Sequence, residues 1–467
     1  MESNTMANTA NNEEISLDDR NQHDQEVHNS YAHPAPTDHG RQANLVLLGC
    51  SLLQLPVWGF PISYGVFQEN YASAATDLKG DISSTGIIGT TLNGIIYLSM
   101  PVLFGLFTNK YAHYRRHAGA IGIVLLVGSL VLSSFAKEVW QLVLTQGVLQ
   151  ALGSTLLFSS STIYLDEWFV RRKGFAYGVM LSVKSAVGAG TPLLFGYLIS
   201  KLGFRNTLRI WSAIALASSA PALFLLRPRF ELSRDDRRTR RLSWRFLRHP
   251  TFYVFQACNI IFSASYGMPQ TYLSTFAGTV LQFSAFNSAL ILAGLNAPSI
   301  LASFWFGLLS DGKGIWPRSR PLSISTITFL SAIGACLPVF LFWGPASNQS
   351  AGGIVLLAFF AAFYGFFAGG YSAIWGGIVK ELGREAEQHN EPVDTALIFG
   401  LLNGGRGIGY VAGGFVGIQL LKEGAVSSSH WAYGTKYGSL ILFTGIGTAL
   451  GGASIILQSR RLFQGRS

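Results

Sequence analysis

Twelve apolar stretches of membrane-crossing length dominate the sequence and leave the chain few ways to fold. They lie near residues 45–69, 83–107, 118–136, 139–165, 174–200, 210–226, 251–275, 285–310, 322–343, 352–379, 394–420 and 437–458. A hydrocarbon layer about 30 Å thick takes roughly 20 helical residues to cross, and each stretch comes close to that length or exceeds it. Lipid offers backbone groups no hydrogen-bond partners, so each span is predicted to be a helix. The expected fold is an all-α membrane protein with twelve transmembrane helices. Composition agrees, since 49% of residues are hydrophobic and only 12% charged, whereas soluble chains carry about a quarter charged residues. Cys50, Cys258 and Cys336 all fall inside spans, where a thiol behaves as a small hydrophobe rather than as part of a disulfide or metal framework.

The net charge of +10 reads as topology and not as a nucleic-acid footprint. Of the 34 Lys and Arg, 25 fall in the tails and even-to-odd loops, 7 in the opposite loops, and 2 inside spans. Both termini are therefore predicted to be cytoplasmic, in the plasma membrane in preference to the vacuolar one. Residues 1–43 form a polar, acidic N-terminal tail expected to be disordered, because it cannot bury enough apolar surface to fold. Its histidines, His23, His28, His33 and His39, are too widely spaced to suggest a metal site. The first span is expected to serve as the insertion signal. Residues 227–250 form a linker with nine arginines between the sixth and seventh spans, and residues 459–467 a short C-terminal tail. The single sequon, at Asn348, falls in a loop assigned outside and is a glycosylation candidate.

The linker divides the chain into predicted six-helix bundles, residues 44–226 and 251–458, and the two halves share landmarks. Gly105 and Asn109 after the second span are matched by Gly307 and Asp311 after the eighth, at the same cytoplasmic turn. A sharper match lies deeper in the membrane. Lys184 sits about ten residues inside the fifth span, roughly 15 Å from the nearer headgroups, and Gly178 precedes it by six residues; Gly400 precedes Arg406 by six in the eleventh. The two buried cations thus occupy equivalent places in two pseudo-symmetric halves, and an intramembrane cation points to function.

These residues resemble the major facilitator superfamily, and within it the fungal monocarboxylate transporter-like branch. The resemblance covers residues 45–458. It rests on the loop from Gly105 to Arg116, on Ser63-Tyr-Gly-Val-Phe-Gln68, on Thr145-Gln-Gly147 with Arg171-Arg172 and Gly174-x-Ala-x-Gly178, and on Gly405-Arg-Gly-Ile-Gly409. It implies the two-bundle facilitator fold and a transport role. The charged residues that handle proton and carboxylate in animal relatives match Ile62, Ser299 and Ser303 here, so their coupling apparatus is missing.

Such a fold is expected to line its path with the first, fourth, seventh and tenth helices. The seventh span carries Asn259, Ser263, Tyr266 and Gln270 on one face; the fourth carries Gln146, Gln150 and Ser154. The first contributes Gln54 and Trp58, and the tenth an aromatic stripe that includes Tyr371 and Trp375. Gly405, Gly409, Gly413 and Gly417 recur every four residues, a stripe that lets a neighbouring helix approach closely or slide past. No Asp, Glu or His lies in the central part of any span, so the two cations lack a protein anion, and a substrate anion would supply one. Lys184, Arg406, Asn259, Tyr266, Gln270, Gln150, Trp58, Tyr371 and Trp375 are the candidate substrate-binding residues, and Gly105, Asn109, Gly307, Asp311, Gly405, Gly409 and Gly413 the candidate moving parts. The expected function is alternating-access transport of a small, monocarboxylate-like organic anion by a monomer surrounded by lipid, with no cofactor, metal or nucleic-acid partner and no enzyme activity. Efflux of a neutral or mixed secondary metabolite is the alternative, and a non-transporting membrane sensor is a third reading.

Overall fold

The computed structural model describes residues 38–72, 78–80, 85–108, 111–229, 243–312, 321–347, 352–426 and 431–456. Asn109, Asn348, and most of the linker and tails lie outside them. Joined across short π and 3₁₀ turns, the described helices make twelve crossings. The first half comprises α1 (Arg41–Tyr71), α2 (Thr85–Thr108), α3 (Ala112–Ser133), α4 (Val139–Trp168), and α5 and α6, which share the stretch Lys173–Leu225. The second half comprises α7 (Pro250–Val280), α8 (Ala285–Ser310), α9 (Ile324–Trp343), α10 (Gly353–Gln388), α11 (Thr395–Glu423) and α12 (Gly438–Leu450).

Sequence and structure differ at several boundaries, among them the following three. The expected loop at 201–209 is a single break at Gly203, whose φ of 74° and ψ of 163° interrupt the helix between residues 173–202 (α5) and 204–225 (α6). That backbone conformation favours glycine, so one residue makes the turn. The third helix starts at Ala112, before the expected 118, and the tenth runs to Gln388 instead of ending at 379. The extension of α10 is amphipathic, burying Val379, Leu382 and Ala386 while exposing Lys380 and Arg384.

Among the described residues eight helices meet the length and apolarity expected of a membrane crossing, and Lys173–Leu225, counted among them as one, supplies two spans. The shortfall is informative. Of the rest, α12 is short, whereas α7 and α11 are long but diluted by Gln256, Asn259, Ser263 and Gln270 in the first and by glycines and Arg406 in the second. Helices diluted in this way belong inside a bundle, because polar groups facing lipid are costly.

Helix pairing follows the small residues. Within the first half α1 packs on α5 and α3 on α4; within the second α8 packs on α10 and α11 on α7. The halves meet along two antiparallel pairs, α5 with α8 and α2 with α11. A Cβ added at Gly178 would lie 2.7 Å from the Ser303 carbonyl oxygen, and one at Gly400 would lie 2.8 Å from Phe104 Cβ. The glycine stripe of α11 meets α7 in the same way: a Cβ at Gly409 would lie 2.4 Å from Ile260 O and one at Gly413 2.5 Å from Ala264 O. Backbones approach this closely only where no side chain intervenes.

Candidate functional site

The register of the two halves places the buried cations. α5 begins at Lys173 and α11 at Thr395. The offset of 222 between these starts (395 − 173) is also that between Gly178 and Gly400 and between Lys184 and Arg406. Equivalent helices thus deliver a cation at equal depth from the same face of the molecule. That face carries the ends of α4, α8 and α10 and the starts of α5, α9 and α11. It is called the tail face below, and arginine sorting predicts it to be cytoplasmic.

Lys184 is held by α1 and α2. α5 is tied to α1 where Ser63 and Thr191 share a hydrogen bond of 2.7 Å, and Thr191 also donates to Gly59 O at 3.3 Å. One register of that packing sets the Lys184 Nζ 3.6 Å above the Trp58 ring, from where it donates to Tyr97 Oη at 3.1 Å. Trp58 is wedged between Tyr97 and Phe158, with ring centroids 5.2 and 5.8 Å away. A cation over an indole face gains about 0.5–2 kcal/mol, which offsets part of the cost of taking the ammonium out of water.

Arg406 is fixed by the glycine stripe beside it. Because Gly405 and Gly409 lie against α7, the side chain at 406, about 100° round the helix, is directed toward aromatic rings of both halves. The guanidinium carbon lies 5.0 Å from the centroid of Tyr266, 5.4 Å from Tyr410, 5.6 Å from Trp375 and 5.7 Å from Tyr97. Nη1 donates to Ser372 Oγ, in the 3₁₀ turn Tyr371–Ile374 of α10, and Nη2 donates to Tyr410 Oη at 3.5 Å. Nε is buried without a partner. Tyr97 is a shared wall, since Lys184 Nζ and the Arg406 guanidinium carbon each lie 5.7 Å from its ring centroid. Among the described residues neither cation has a carboxylate in salt-bridge range.

The other sequence-derived candidates divide by environment. Gln270 donates to Tyr266 Oη at 3.2 Å and approaches Asn296 Oδ1 at 3.4 Å, at the edge of the rings around Arg406. Asn259 is fully buried and donates to Leu402 O at 2.7 Å, a strut between α7 and α11. Tyr371 stacks on Phe262 at 3.8 Å and donates its hydroxyl proton to Gly451 O, which ties α10 to the residue after α12. Gln150 is enclosed with both amide atoms unpartnered, directly after the π turn Val143–Leu149 of α4. Three residues of the cluster escaped the sequence reading: Tyr97, Ser372 and Tyr410. Tyr410 had a signal, standing one helical turn after Arg406; Tyr97 had none, because α2 was not expected to line the path.

The halves are fastened to each other at the tail face. The Asp311 carboxylate accepts from the backbone N–H groups of Gly174 and Phe175 at 2.8 and 2.7 Å, so the end of α8 caps the start of α5. An anion at a helix N-terminus is stabilised by the free N–H groups and the helix dipole. Burial pushes the Asp311 carboxyl above the usual range, and these two donors oppose that shift. Lys173 pairs with Asp166 and also donates to Thr395 Oγ1 at 2.9 Å, while Lys380 reaches Arg171 O at 2.9 Å. A cleft of about 890 Å³ opens beside Asp311, Lys380 and Arg384, and it contains neither Lys184 nor Arg406. Substituting Asp311→Ala is expected to raise tail-face accessibility at least several-fold. Thiol labelling of a cysteine placed at Arg171 would read this, and an unchanged rate would show that the cap does not hold the halves together.

The profile of the Major Facilitator Superfamily matches residues 62–414. The chain is 27% identical to the Fujikurins efflux protein of Gibberella fujikuroi, over 92% of its own length and 84% of that protein's. It is also 27% identical to the MFS-type transporter hasB of Aspergillus fumigatus, over 92% and 91%. Among solved structures, a bacterial homologue of the iron transporter ferroportin in an outward-facing state superposes with a TM-score of 0.61 at 14% identity, covering 90% of this chain and all of that one. The nucleoside transporter NupG gives 0.58 at 15%, over 89% and 99%. At such identities these two speak for the fold alone.

Proposed function

The chain belongs to the major facilitator superfamily, and from that premise we propose that it is an efflux carrier for a small secondary metabolite bearing an acidic group on an aromatic or otherwise apolar body. One observation carries this reading: Lys184 and Arg406 converge on the Tyr97 ring, surrounded by aromatic faces and, among the described residues, without a carboxylate in salt-bridge range. The cations supply the attraction for an acid, and the rings of Trp58, Tyr97, Tyr266, Trp375 and Tyr410 supply flat apolar contact. Arg406 retains an unpartnered Nε beside an Nη2 whose contact to Tyr410 is long, an edge suited to two parallel bonds to a carboxylate. The efflux direction is supported by the relative named as an efflux protein. The monocarboxylate-like expectation survives only as the acidic group of the substrate.

Alternation would proceed by release of the tail-face fastenings. In the conformation seen here the Asp311, Lys173 and Lys380 contacts join the halves at that face; breaking them would expose the cations to the side from which substrate is loaded. Accumulation assays in cells stripped of other exporters test the reading, with aromatic acids and their methyl esters as paired probes. The carrier should lower retention of the acids several-fold more than that of the esters. Equal export of both would favour a neutral substrate and structural cations, and binding without export would favour a sensor.

A further inference from the structure

The charge inventory of the membrane core bears on what drives transport. Among the described residues the carboxylates and histidines of the helices lie toward their ends, as Glu69, Asp166, Glu167 and Glu423 do, with His117 in the second turn of α3 and Glu381, Glu385 and Glu387 in the tail-face extension of α10. The groups around the site are the cations Lys184 and Arg406, the phenols Tyr97, Tyr266 and Tyr410, the hydroxyl of Ser372 and the amide of Gln270. Of these only Lys184 could exchange a proton at neutral pH, and its Nζ is held over Trp58 and donates to Tyr97; its protonation state is taken to be the same in the empty and the loaded carrier.

We propose, resting on the carrier reading above, that export is driven by the membrane potential acting on the substrate anion, with no proton carried by the protein. Charge balance over one cycle gives the direction. With the protonation of Lys184 unchanged, the site loaded with a monoanion carries one positive charge fewer than the empty site. A full turnover therefore moves one negative charge across the membrane, away from the negative side. With the tail face cytoplasmic, as arginine sorting predicts, a cytoplasm that is electrically negative expels the anion. The same arrangement assigns the two cations a second role: with a monoanion bound, one positive charge fewer crosses, which lowers the barrier for the loaded step relative to the empty return.

Proteoliposomes of the full chain test this with 2-naphthalenesulfonate, an aromatic anion that stays ionised and so cannot bring a proton itself. A potassium gradient with valinomycin sets the potential. An interior-positive potential is expected to accumulate the probe toward about 40-fold per 100 mV, and reversing the potential should abolish uptake. With the potential clamped at zero, a pH gradient of either sign should produce no accumulation. Accumulation driven by the pH gradient, or a flux indifferent to potential, overturns the proposal. Counterflow of labelled against unlabelled probe with no gradient separates the two levels. Counterflow without a response to potential removes the coupling inference and leaves the carrier, whereas no counterflow and no binding removes both.

Discussion

Arg406→Gln is expected to lower export of an aromatic acid by about 100-fold or more while leaving the amount of protein in the membrane unchanged. The guanidinium is the one group in the site able to offer two parallel N–H donors, and hydrogen bonds to charged groups contribute about 1.5–3 kcal/mol each. Losing the pair therefore outweighs every other single change there. Arg406→Lys keeps the charge but not the fork and should cost about tenfold. Lys184→Gln removes a point charge already engaged with Trp58 and Tyr97, and an effect of similar size is expected. The order of the three separates the anion reading from its rival. If the cations only hold helices together, all three substitutions should act through stability, and a neutral ester would be affected as strongly as its acid. Initial rates for acid and ester, normalised to surface protein, decide the matter.

Much of this arrangement was legible in the sequence because symmetry made it so. Lys184 and Arg406 could be paired through Gly178 and Gly400 without any coordinates, and the offset of 222 between the helix starts carries the same pairing into space. The glycine stripe likewise announced that Gly405 and Gly409 would meet a neighbour; α7 proves to be that neighbour, which leaves Arg406 to turn elsewhere. Helical periodicity failed where it had to choose between a cavity and a helix interface. Asn259 and Tyr266 share a face of α7, yet Asn259 bonds the backbone of α11 and Tyr266 lies over Arg406. A polar stripe only reports that a face avoids lipid; what it meets depends on the tilt and depth of the partner helix. Tyr97 was invisible for the same reason, since its role follows from α2 lying against α11 across the two halves. The turn at Gly203 was missed because a single left-handed residue does the work of a loop.

Gly307→Val is expected to stop transport by a different route, preventing closure of the tail face while leaving the cations in place. A Cβ at residue 307 would lie 2.4 Å from the Gly174 carbonyl oxygen and 2.9 Å from Gly178 Cα. Both obstacles are backbone atoms, so no side-chain rotation relieves the overlap and α5 and α8 must separate. Overpacking of this kind costs about 1–3 kcal/mol, and about 1.4 kcal/mol shifts a two-state equilibrium tenfold. The closed population should fall by one to two orders of magnitude, with export falling at least tenfold. Acid binding from the tail face should persist, because Arg406 and Lys184 lie deeper than the altered contact. Spin labels at Arg171 and Arg384, both exposed at the tail face, would report a longer separation in the variant. Gly414→Val is the matching control, since nothing lies within 4 Å of a Cβ placed there. If Gly307→Val kept both the wild-type rate and the wild-type label distance, the close α5–α8 approach would be dispensable and the tail-face fastenings at Asp311 and Lys173 would have to account for closure by themselves.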